Sequence, residues 1–288
     1  MRWVMLAACA VILGFAALWG LGVFQGLHFA LLDIQRSFQS VLARAMRALK
    51  ADHPGARASL IWLSFLYGVV HAAGPGHGKM VLGSWAFASK ARLARVAGIT
   101  LTASLAQSLC AIGIVVIGAS VLGLGRQALT ELAEGPVTQL GNILIGALGA
   151  YLMARALLGL WRSLRKPRTQ HHHHHEGCGC GHAHAPDPEK SARASLPQAL
   201  LLIGSVAFRP CTGGLFVMLL AWLIGAPWTG AWAVLAMGVG TAVVTLAIAL
   251  AAGHMGNRFA RRPDRPWLGI AGRFFEMALG AIILAIAI

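Results

Sequence analysis

Two short motifs place helix breakers beside metal-ligand side chains inside apolar stretches. They are His71-Ala72-Ala73-Gly74-Pro75-Gly76-His77-Gly78-Lys79 and Arg209-Pro210-Cys211-Thr212-Gly213-Gly214. Between them runs His171-His172-His173-His174-His175-Glu176-Gly177-Cys178-Gly179-Cys180-Gly181-His182-Ala183-His184, with seven histidines, two cysteines and one glutamate in 14 residues. Imidazole and thiolate nitrogen and sulfur are ligands for Ni, Co, Cu and Zn. Backbone that breaks inside a bilayer must line a cavity or be wrapped in protein. Ionisable side chains at that depth are costly and mark ion pathways. Together the three motifs point to a membrane protein that moves a transition-metal ion.

His71 lies 11 residues past Leu60, which puts it about 17 Å into a hydrocarbon core about 30 Å thick. On an unbroken helix the step from His71 to His77 turns about 600°, so the two rings would face apart. Gly74-Pro75-Gly76 interrupts the helix and lets them converge. A lone histidine in a bundle more often bonds a carbonyl, but two histidines flanking a break beside a lysine favour a substrate pathway. Lys79 either snorkels to an interface or keeps the empty site electropositive. Cys211 has three readings: soft metal ligand, redox thiol or small buried residue. Gln107, with Ser104 and Ser108, either contacts the ion or bonds between helices, and Thr241 and Thr245 pose the same choice on a later helix. Arg209 needs an acceptor at depth. Glu276 is the one acid well inside a predicted span, so Arg209–Glu276 is the expected pair, with Arg273 a rival partner for Glu276.

These residues need membrane helices to position them. The chain has 288 residues, of which 57% are hydrophobic and 11% charged, with mean hydropathy +0.69. Soluble domains carry roughly 25% charged residues, so this is an integral membrane protein. The net charge of +15 does not imply nucleic acid, because the basic residues sit in short loops between apolar runs and set topology. Apolar runs near 3–24, 60–88, 97–123, 137–161, 197–224, 229–253 and 270–288 predict an all-α protein of about seven transmembrane helices.

The expected organisation has five parts. Residues 1–24 form a transmembrane helix, retained as an anchor, since no small-x-small cleavage site stands at a sensible position. Residues 25–58 form a non-cytoplasmic amphipathic segment: Leu31, Ile34, Phe38, Val41, Leu42, Ala45, Met46 and Leu49 recur at helical spacing, with Arg36, Arg44, Arg47 and Lys50 on other faces. Residues 59–161 and 197–288 are two three-helix halves, and 162–196 is the His/Cys-rich loop between them. Each half opens on a helix carrying a break. Three helices per half make the copies face opposite ways, and transporters place substrate sites where such inverted repeats meet. Sixteen of the 24 lysines and arginines fall on the side of the His-rich loop and six on the other, so the loop is expected in the cytoplasm.

Enzyme chemistry finds no support: there is no Walker A sequence, no H-E-x-x-H and no G-x-S-x-G. The five cysteines, Cys9, Cys110, Cys178, Cys180 and Cys211, do not form a secreted disulfide framework. A transmembrane thiol–disulfide carrier would place paired cysteines in the opening helices of both halves. Cys211 holds one such position, but His77 stands where its partner would be.

H-A-A-G-P-G-H-G-K at 71–79, A-S-L-A-Q-S at 103–108, the His-rich loop and R-P-C-T-G-G at 209–214 resemble the NicO-type nickel/cobalt transporter family over roughly residues 59–288. The resemblance implies export of Ni²⁺ or Co²⁺ from the bacterial cytoplasm across the inner membrane, with His71 and His77 in the translocation site. The metal would then be the transported substrate, with no permanently bound cofactor. Import by a nickel/cobalt permease is the alternative. Members of the family carry a histidine where this chain has Gln107, and an amide oxygen is a harder, weaker ligand than imidazole. The expected partners are divalent transition-metal ions and the lipid bilayer, without nucleic acid. The sequence does not specify an oligomeric state.

Overall fold

The computed structural model describes residues 22–74, 77–89, 91–165, 196–260, 277, 278, 280, 281 and 283–285, and every regular element among them is helical. The first helix, α1, spans Val23–Lys50. Leu42, Ala45, Met46 and Leu49 form its buried stripe, while Arg36, Arg44, Arg47 and Lys50 are exposed. The periodicity was therefore a sound guide to the helix, but the stripe packs on protein rather than facing lipid alone. Gly55, at φ +77°, starts α2 (Ala56–Ala73). Glycine adopts that left-handed conformation without steric cost.

The run at 60–88 is two helices. α2 ends before Gly74, and α3 covers His77–Ser89. α4 follows (Leu93–Ser120). A short α5 (Arg126–Leu132) passes through a π turn at Ala133–Val137 into α6 (Thr138–Arg165). Pro136 lies in that turn, which accommodates its missing N–H, and the Thr138 hydroxyl donates to the Ala133 carbonyl at 2.8 Å. α7 (Leu196–Ala207) and α8 (Thr212–Leu223) meet at a 60° bend. α9 (Pro227–Ala260) begins on a proline at its first turn, where no N–H is needed. Among the described residues, four helical stretches are long and apolar enough to cross a membrane, or five with the bent α7–α8 pair as one span. Residues 1–21 and most of 270–288, where two more spans were expected, lie outside the described residues, as does the 171–184 tract.

α9 is the central helix: α2, α3, α4 and α8 all pack on it. Close approach requires glycine here. A Cβ at Gly68 would run into the Met237 carbonyl, and one at Gly240 into the Phe65 carbonyl. Small residues at helix crossings let backbones meet where lipid gives no hydrophobic drive for association.

Two apolar clusters result. One joins α3, the first half of α4, α6, α7 and the second half of α9, around Trp85, Leu148 and Leu202. The other joins α1, α2, α8, the second half of α4 and the first half of α9, around Leu60, Val217 and Met218. Along α4, Ser104 and Gln107 fall between Ala103 of the first cluster and Ala111 of the second. Along α9, Thr241 and Thr245 fall between Met237 and Ala249. A polar layer thus separates the clusters, and both helix breaks reach it. The pair α2–α3 runs from the second cluster to the first, and α7–α8 runs the opposite way.

Candidate functional site

The polar layer encloses a cavity of about 300 Å³ between the two breaks. Its walls include His71 and Lys79 from the first break, Arg209 and Cys211 from the second, and Gln107 and Thr241 from the long helices. Residues more than 130 positions apart in sequence therefore share one small space. The sequence singled out all six.

Both breaks have their freed carbonyls answered by side chains. Lys79 Nζ donates to Ala72 O at 2.7 Å and to His71 O at 3.4 Å, across the first break and back to the end of α2. A cation at a helix C-terminus also complements the helix dipole. Lys79 thus lines the cavity while bonded to the carbonyls at the end of α2. Gln107 Nε2 donates to Arg209 O at 2.6 Å, so the amide serves the second break from α4. Thr241 Oγ1 donates to Met237 O at 3.0 Å and reaches Gly68 O at 3.3 Å, and Thr245 Oγ1 meets Ser104 Oγ at 3.2 Å. For Ser104, Thr241 and Thr245 the bond between or within helices is what the structure contains.

His71 is held by its neighbours. Its ring stacks on Tyr67, one turn earlier on α2, with centroids 5.8 Å apart and planes 15° from parallel. Gln39 of α1 donates to the Tyr67 hydroxyl at 3.4 Å, and Gly213 leaves room for the tyrosine ring, which a Cβ there would strike. The imidazole interacts with the Cys211 thiol, and His71 Nδ1 is buried with no hydrogen-bond partner among the described residues. A buried imidazole nitrogen without a partner is costly and needs an explanation. Cys211 is the N-cap of α8, with its thiol over the amide N–H groups of Gly213 and Gly214 but closing no cap hydrogen bond of good geometry.

His77 opens α3, but its side chain lies outside the described residues, so its distance from His71 is not part of the site as described. Glu276 and Arg273 also lie outside, and Arg209 Nη1 is buried without a hydrogen-bond partner. The 171–184 tract, with His171, His172, His173, His174, His175, Glu176, Cys178, Cys180, His182 and His184, falls outside too. Among the described residues no three His, Cys, Asp or Glu side chains converge. Cys110 sits on α4 in a separate apolar groove with Ile114, Ile117 and Leu132, away from Cys211. Sequence reasoning missed Tyr67 and Met237. Each lies four residues before a residue it did select, on the same helix face.

Among the described residues the fold is all-helical, with four or five candidate membrane spans and a polar cavity where two broken helices meet. Residues 57–179 match the family model NicO, described as "High-affinity nickel-transport protein". A Haemophilus influenzae protein named "Putative nickel/cobalt efflux system" is 27% identical over 292 residues, spanning 91% of this chain and 87% of that protein. No solved structure gives a significant match. Over residues 57–179 the chain is thus similar to the NicO family, and over most of its length it is similar to the efflux-named relative.

Proposed function

We propose that this chain exports Ni²⁺ or Co²⁺ from the cytoplasm across the inner membrane through the cavity between its two helix breaks. The observation that carries the reading is the cavity itself, with an unpartnered His71 nitrogen and the Cys211 thiol on facing walls. His71 and Cys211 are the proposed first ligands, and His77, at the start of α3, is the expected third. The opposite courses of α2–α3 and α7–α8 between the two clusters support two inverted three-helix halves, 59–161 and 197–288, within a seven-helix chain. The tract 171–184 would lie in the cytoplasm and supply ions to the cavity. The efflux name of the Haemophilus influenzae relative favours export over import. Among the described residues Cys110 and Cys211 line different pockets, which supports the permease reading over a thiol–disulfide relay between them.

The experiment is growth of expressing cells in graded Ni²⁺, Co²⁺, Zn²⁺ and Cu²⁺ with intracellular metal measured. Expressing cells should hold less Ni²⁺ or Co²⁺ and survive higher doses. His71→Ala and His77→Ala should each abolish that difference while still reaching the membrane. Greater accumulation would reverse the direction, and full transport by both variants would remove the site.

A further inference from the structure

The cavity wall behind Cys211 holds a second sulfur. Met237 of α9 is 2% exposed, and its Sδ lies 4.0 Å from Cys211 Sγ. The methionine is fixed by its surroundings: its carbonyl is crowded against Gly68 and accepts the Thr241 hydroxyl. The His71 imidazole interacts with the same thiol, and its Nδ1 has no hydrogen-bond partner among the described residues. The Cys211 thiol thus neighbours both an imidazole from α2 and a thioether from α9.

The separation of the sulfurs suits a shared ion. Two sulfurs bound at about 2.3 Å to one ion, with an angle of about 120° between the bonds, stand about 4.0 Å apart. Thiol and thioether donors select soft cations, Cu(I) above all, and a thioether offers little to a harder divalent ion.

We propose that His71, Cys211 and Met237 form a binding site for a thiophilic monovalent cation, Cu(I) or Ag(I). Binding forms a metal–sulfur bond at Cys211 and releases the thiol proton to solvent. The proposal deepens the permease reading, since the site shares its wall with the proposed Ni²⁺/Co²⁺ path. Its occupancy does not depend on that path carrying Ni²⁺ or Co²⁺.

The test uses the purified full-length chain in detergent and chloride-free buffer, with Ag(I) as probe. Thermal unfolding is followed across an Ag(I) titration for the wild type, Met237→Leu and Cys211→Ser. A ligand that binds the folded state raises the unfolding temperature in proportion to its occupancy. The ligands at 171–184 are common to all three proteins, so their effect cancels in the comparison. Leucine conserves the volume of methionine in a packed core, and Cys211→Ser gives a second, independent variant. The expected result is that Met237→Leu and Cys211→Ser each raise the Ag(I) concentration for half of the shift at least tenfold. The same half-shift concentration in all three proteins, or no shift in the wild type, overturns the proposal. That outcome leaves Ni²⁺/Co²⁺ export untouched. Failure of cells to export either metal overturns the export reading and leaves the Ag(I) result standing.

Discussion

Gln107 is where the family resemblance and the geometry make different demands, and it gives the sharpest test. In the structure its amide donates to Arg209 O at 2.6 Å, across from α4 to the second break. Gln107→Leu keeps most of the volume and deletes that donor. The carbonyl at the break then has one bond fewer in a region without bulk water, and an unsatisfied buried group costs about 1–3 kcal/mol. No charge is removed, so no relief of ion desolvation offsets the loss. For a chain of this size each kcal/mol lowers the unfolding temperature by about 2–4 °C. Gln107→Leu should therefore unfold roughly 2–12 °C lower than the wild type. Gln107→His restores a ring N–H donor and should recover most of that loss. Because it also adds an imidazole, metal selectivity should move with it while stability does not. The assay is thermal unfolding of purified full-length protein in detergent, with transport measured on the same variants. A Gln107→Leu protein as stable as the wild type, but defective in transport, would refute the structural role and return Gln107 to the ion path.

Two further outcomes follow from the same geometry. Deleting 171–184 should weaken export at low metal and spare it at high metal, because a tethered ligand tract raises local ion concentration without forming the pathway. Loss of export at every concentration would put the tract in the path itself. Arg209 Nη1 is buried without a hydrogen-bond partner, and Glu276 is its expected counter-ion. Truncating either should cost about 3–5 kcal/mol if they pair at depth, and a double-mutant cycle in membrane stability should be strongly non-additive. Additive losses would show that they do not interact.

The sequence by itself determined the class of protein. Long apolar runs with few charges leave little room for anything but membrane helices. Helix breakers set beside His71 and Cys211 at depth marked where backbone would need protein cover. The α1 stripe at Leu42, Ala45, Met46 and Leu49 was legible because a helix repeats its faces every 3.6 residues. What covers that stripe was not legible, since periodicity marks a face but not the helices, here the adjacent α2 and the distant α8, that pack on it.

Tertiary structure decided the roles of the polar residues. Lys79, Gln107, Ser104, Thr241 and Thr245 each had two open readings, because a side chain's partner depends on which helix lies across from it. Lys79 turned back onto the carbonyls of its own broken helix, and Gln107 turned onto the break of the other half. Tyr67 and Met237 read as ordinary core residues along the chain. The Tyr67–His71 stack is local to α2, one turn apart, whereas only the packing of α9 against the second break brings Met237 to Cys211. Periodicity and composition are local along the chain, so they locate helices and breaks. The chemistry of the cavity depends on contacts between residues far apart in sequence, and those exist only once the helices have packed.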